Sequence, residues 1–95
     1  MSALTIPLAL FRLGRIVATP NALRSIAQDD ILLGIQRHQA GDWGDVDEED
    51  RNTNDASLSQ GLRIFSVYHS VRGIKFWIIT EADRASTTVL LPEDY

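Results

Sequence analysis

Ninety-five residues, 44% of them apolar and 23% charged, suffice for one compact core and are too few for two ordinary domains. The absence of cysteine excludes disulfide stapling, thiolate metal sites and thiol nucleophiles, and it fits a cytoplasmic setting. The formal net charge of -4 is unevenly placed: Asp42 to Asp55 carries seven acids against Arg51 alone, the remainder is slightly basic, and direct nucleic-acid binding through a broad basic face is disfavoured.

The opening MSALTIPLALFRLGRI has no basic stretch ahead of its apolar run, and Pro7, Arg12 and Arg15 interrupt it. Neither a signal peptide nor a membrane span is expected. Leu4 to Phe11 alternates loosely around Pro7, which points to a sheet edge or a position outside the sheet, and RIVA from Arg15 to Ala18 is a short strand candidate. Thr19-Pro20 is a helix start, because Thr accepts an amide hydrogen bond and Pro at the first helical position lacks the donor that would go unpaired. Leu23, Ile26 and Ala27 share one face, and Ala27, Ile31, Gly34, Ile35 and His38 continue the stripe. Asp29-Asp30 leaves open whether this is one bent helix or two, and Gly41 is the expected exit.

The stretch HQAGDWGDVDEED then leads into another helix. Either Asp45 with Glu48 or Asp47 with Asp50 supplies the cap and acidic first turn, and Gly61 stops the helix after Gln60. Its interior, RNTNDASLSQ, is rich in residues that compete for backbone hydrogen bonds, so tertiary contacts must hold it. From Leu62 the period becomes two. Leu62, Ile64, Ser66 and Tyr68 oppose Arg63, Phe65, Val67 and His69, and a hairpin around Val71 to Gly73 leads into IKFWIIT. There Ile74, Phe76, Ile78 and Thr80 oppose Lys75, Trp77, Ile79 and Glu81. Both faces are apolar near the middle, which predicts a central strand with helices on one side and another cover, or a second subunit, on the other. EADRAS connects to TTVLL, which Pro92 ends. The expected fold is α+β: a three-stranded antiparallel meander, with an N-terminal strand as an optional addition, packed against two or three helices.

His38, Asp42, Asp45 and Asp47 invite a metal reading, but EF-hand spacing fails from either Asp42 or Asp45, and zinc would need more than the two histidines, His38 and His69. No metal or cofactor is expected. The surplus of acids is better explained by a solvated helix start than by a carboxylate pair for acid/base work. Ser66 and Ser70 lie near His69 in sequence yet point to the opposite strand face, and no nucleophile elbow or phosphate loop is present. Trp43 between Gly41 and Gly44 is either a core anchor for the turn or an exposed anchor for a partner, whereas Trp77 is assigned to packing. Asn54 and Asp55 either lock helix to sheet or face a ligand, and Arg51 stands four residues from Asp55. Arg72, Lys75 and Arg84 suggest a small basic edge.

ATPNAL, the run from His38 to Tyr68 and the closing KFWIITEADRASTTVLLPEDY resemble a family of small uncharacterised bacterial proteins, some labelled plasmid-related. The resemblance runs from Gly14 onward and rests on GDWG, Asn54-Asp55 and ITEADR followed by TTVLLP. It implies an association with mobile elements, in regulation, maintenance or defence, and no catalytic or ligand residue.

The leading expectation is therefore a non-enzymatic protein-binding or regulatory protein. Its candidate residues are His38, Asp42, Trp43, Asp45, Asn54, Asp55 and Arg84, its partner is another protein, and a homodimer through the sheet is a further expectation. The alternatives are a small hydrolase or nucleic-acid-processing enzyme in which His38, Asp42, Arg84 and Tyr68 converge, and an acidic mimic of nucleic acid.

Overall fold

A computed structural model describes residues 9–95, so the alternation proposed from Leu4 lies largely outside the described residues. Eight elements follow in order: β1 (Arg15–Ala18), α1 (Pro20–Ser25), α2 (Gln28–Gln39), α3 (Glu48–Gln60), β2 (Ile64–His69), β3 (Lys75–Thr80), β4 (Ser86–Leu90) and a 3₁₀ turn (Pro92–Asp94). The meander β2, β3, β4 is antiparallel, and β1 joins parallel to β4, giving the order β1-β4-β3-β2. This is the expected α+β fold, with the N-terminal strand included. Among the described residues no helix is long and apolar enough to cross a membrane.

Local chemistry accounts for the helix ends. The Thr19 hydroxyl accepts from the Ala22 amide at 3.1 Å, and Pro20 opens α1. Extended backbone at Ile26 and Ala27 separates α1 from α2, so the apolar stripe is carried by two helices. Asp29 and Asp30 lie in the first turn of α2, where their charge complements the helix dipole, and Ala27 is the cap residue. For α3 the second register is the one used: Asp47 accepts from the Asp50 amide at 2.8 Å, and Gly61 closes the far end with φ of 68°.

Pairing of Ile64 with Thr80, Ser66 with Ile78 and Tyr68 with Phe76 places the two strand faces as the alternation predicts. The inner face joins Ala22, Ile26, Ile31, Tyr68, Phe76, Ile78, Val89 and Leu91 in one core cluster with α1 and α2. Gly34 lets α2 come close, since a Cβ there would meet the Phe76 ring at 3.1 Å and Ile78 at 3.2 Å. The outer face carries Phe65, Val67, Trp77, Ile79, Thr88 and Leu90. It has no counterpart to the α1–α2 layer among the described residues, and α3 lies along β2 at its border.

The free edge of β2 is closed by two devices. The Asn54 side chain behaves as a strand residue, donating to the Phe65 carbonyl at 2.6 Å and accepting from the Phe65 amide at 3.0 Å. Further along, the Trp43 carbonyl accepts from the Val67 amide at 3.0 Å, and the Asp45 amide donates to the Val67 carbonyl at 2.8 Å. Gly44 sits between them at φ of 75°, and a Cβ there would lie 1.9 Å from the Val67 oxygen. The GDWG turn is thus a strand-edge cover that only glycine permits, which protects an otherwise reactive edge.

Candidate functional site

Because β2 and β3 are apolar on both faces and α3 lies against the outer face only along its β2 border, that face keeps a pocket of about 410 Å³ lined by Asp50, Thr53, Asn54, Arg63, Phe65, Trp77, Ile79 and Tyr95. That volume falls within the range of roughly 300–1,000 Å³ typical of small-ligand sites. Trp77 forms the centre of its aromatic wall. Phe65 stands edge-on to it at 5.0 Å between centroids and 83° between planes, and Tyr95 stands at 5.7 Å and 67°.

Each wall has a structural cause. Asn54 fastens α3 against β2, and the helical period then places Asp50, one turn earlier, on the same side, with Thr53 beside them. Tyr95 is delivered by the 3₁₀ turn, whose Asp94 accepts from the Thr19 hydroxyl at 2.6 Å, the Asn21 amide group at 2.7 Å and the Leu91 amide at 3.1 Å. Those bonds, led by Thr19 and Asn21, hold the Asp94 carboxyl below its ordinary range. Arg63 donates through Nη1 to the Tyr95 hydroxyl at 2.9 Å and through Nη2 to Glu81 at 3.3 Å. The Tyr95 bond and the Glu81 carboxylate push the guanidinium above its usual range and keep it charged.

Of the residues proposed from the sequence, only Asn54 lines this pocket. His38 is wholly buried on the inner face, with Nδ1 2.6 Å from Ser66 Oγ and Nε2 2.9 Å from Thr80 Oγ1. The direction of the chain follows from its end. Thr87 donates to the Leu13 carbonyl at 2.7 Å, so Thr80, 2.7 Å away, donates to Thr87 and accepts from His38 Nε2–H. Nδ1 then accepts from Ser66, and the imidazole is the neutral Nε2–H tautomer. Burial, reinforced by the nearby Arg84 charge, pushes its pKa down to about 3. Ser66 is thus the serine that meets a histidine, and it meets His38; both are closed off from solvent.

Trp43 is 1% exposed, so the structure shows its core-anchor role, and its indole donates to Asp55 at 2.9 Å. Asp42 forms a forked pair with Arg37 at 2.7 and 3.2 Å, and its backbone carbonyl accepts from Tyr68 at 2.6 Å. The Arg37 bond lowers the Asp42 pKa. Asp45 pairs with His69 at 2.8 Å on the surface. Arg51 turns to Glu48 at 3.7 Å in place of Asp55, which Trp43 occupies. Arg84 leaves the expected basic edge: at φ of 61° it donates to the Ser57 carbonyl at 2.8 Å and the Leu62 carbonyl at 2.6 Å, capping the end of α3. The meeting of His38, Asp42, Arg84 and Tyr68 is confined to Tyr68 on the Asp42 backbone and the charge of Arg84 felt by His38.

Among the described residues no group of three or more histidine or carboxylate side chains converges as a metal site, and every buried side-chain nitrogen or oxygen has a hydrogen-bond partner. Comparison with protein-family models, with curated proteins and with solved structures finds no match.

Arg63, Phe65, Trp77 and Tyr95 were not singled out as a site by sequence reasoning. One signal was present in KFWIIT, whose second apolar face requires a cover that no later helix supplies. Another was the spacing of Asp50, Thr53 and Asn54 on one helical face.

Proposed function

We propose that this protein is a non-enzymatic binding protein that receives a group from a partner protein in the outer-face pocket. The observation that carries this reading is the contrast between a pocket walled by Phe65, Trp77 and Tyr95 and an interior whose polar groups are already mutually satisfied. Aromatic side chains at a concave surface supply large contact area at low ordering cost, which is the composition of binding hot spots. A hydrolase reading needs a nucleophile or base that substrate can reach, and His38 and Ser66 are turned toward each other without solvent access. The acidic-mimic reading needs carboxylates spread over one face, whereas Asp42, Asp45, Asp47, Glu48 and Asp55 are committed to separate partners. The resemblance to plasmid-related proteins supports a regulatory setting for such binding.

An NMR screen with small analogues of amino-acid side chains tests the proposal. Shifts should cluster at Arg63, Phe65, Trp77 and Ile79. Shifts centred on the 42–47 turn, or none in the pocket, count against it. Sedimentation across a range of concentrations separates this reading from a homodimer through the same sheet face, which would bury Trp77 and close the pocket as the protein is concentrated.

A further inference from the structure

The chemistry of the pocket walls narrows the ligand class, and this inference rests on the binding reading above. Phe65 and Tyr95 both pack edge-on with Trp77, at 83° and 67° between planes, and all three rings line the one pocket, Tyr95 at its exposed side. Ring faces carry negative quadrupole density, and a pocket lined by three aromatic rings offers a cation more than it offers a neutral group of equal size wherever a face is open to it. The charges at the rim agree. Arg63 is the positive member, and its charge is offset by Glu81 at 3.3 Å while its Nη1 is used by the Tyr95 hydroxyl. Asp50 is the remaining carboxylate of the lining, and among the described residues it makes no salt bridge. The lining therefore keeps one carboxylate outside any ion pair, while its guanidinium is already engaged by Glu81 and Tyr95.

We infer that the pocket formed by Phe65, Trp77, Tyr95 and Asp50 is a cage for an alkylated ammonium group carried on a short aliphatic stem. An unmodified ammonium is compact and strongly hydrated, which makes its transfer to an aromatic box costly; methyl groups on nitrogen lower that cost and fill the box. A volume of about 410 Å³ holds the head group together with several methylenes of its stem, which Ile79 and Thr53 would line. The same chemistry is offered by a methylated lysine side chain of a partner protein and by a free quaternary ammonium compound.

The test compares choline with 3,3-dimethylbutan-1-ol, its neutral isostere of the same shape, and with 3,3-dimethylbutanoate, by titration of the native protein with the indole signal of Trp77 as reporter. Choline is expected to bind at least about fivefold more tightly than the neutral isostere, in line with the size of cation–π attraction in a partly desolvated site. Asp50→Asn should weaken choline severalfold and leave the isostere unchanged, and Trp77→Phe should weaken choline while circular dichroism stays native. A peptide bearing trimethyllysine, run beside choline, names the source by whichever binds more tightly. Equal binding of choline and the isostere overturns the cation assignment and leaves the pocket as an apolar binding site. Tightest binding of the carboxylate overturns it in favour of Arg63. Silence from all of them overturns the cage, and silence in the wider side-chain screen as well removes the binding reading beneath it.

Discussion

The two tryptophans mark two regions built on the same sheet, one closed off and one open to solvent. Trp43 is buried at the edge of β2, its indole nitrogen spent on Asp55 and its ring edge-on to His38 at 6.0 Å between centroids. Trp77 stands on the outer face, half-buried, with two aromatic neighbours and a pocket in front of it. On the inner side the polar groups form a directed chain from Ser66 through His38, Thr80 and Thr87 to the Leu13 carbonyl, leaving nothing to offer a ligand. On the outer side apolar area remains in contact with water. The residues that look most chemical in the sequence therefore hold the molecule together, and those that look like packing are available for binding.

If this division is right, substitutions in the first region act on stability and those in the second act on binding. The largest loss is expected from Gly44→Ala, because a Cβ 1.9 Å from the Val67 oxygen must displace the strand-edge cover and the positive φ adds strain. A cost of about 3 kcal/mol or more is expected in urea denaturation. His38→Phe comes next: it keeps the ring but strands the Ser66 hydroxyl and removes the donor to Thr80, and should cost roughly 2–3 kcal/mol.

The wild-type protein should also carry the signature of this histidine in its pH dependence. The folded pKa of about 3 lies below the ordinary 6.5, so between those values the unfolded chain binds the proton and the folded chain does not. Stability is therefore full above pH 6.5 and falls as pH drops toward 3. By about pH 4 the loss from this group is on the order of 3 kcal/mol, and it should be missing from the profile of His38→Phe. An unchanged profile in that variant would show that other groups govern acid unfolding.

Smaller effects sharpen the boundary between the regions. Asn54→Ala should cost about 2 kcal/mol by leaving both Phe65 backbone groups without their partner, and light scattering should detect greater self-association through the reopened β2 edge. Asp42→Asn affects an exposed pair with Arg37 and should change the midpoint of thermal unfolding by less than about 2 °C. Trp77→Phe should do least to stability, because its ring is not closed into the core, while it reduces ligand binding.

Much of the architecture is legible in the chain because it is local. Thr19-Pro20 and Gly61 specify helix ends through their own backbone chemistry, and the alternation in β2 and β3 gives both faces correctly. What is not local is harder to read. The parallel pairing of Arg15 with Ser86 joins segments far apart in sequence, and Tyr95 reaches the pocket because Asp94 is held by Thr19 across 75 residues. Asn54 as a stand-in strand residue depends on the position of Phe65, and the choice of Ser66 over its sequence neighbours as the partner of His38 depends on how α2 lies on the sheet. A pocket is harder still, since it is defined by what fails to cover the outer face.

The most direct measurement follows the two indole signals together during a choline titration of the native protein. The account predicts that the Trp77 signal shifts saturably while that of Trp43 stays in place. A saturable shift of Trp43, with Trp77 unmoved, would contradict it and move the binding site to the turn around Trp43.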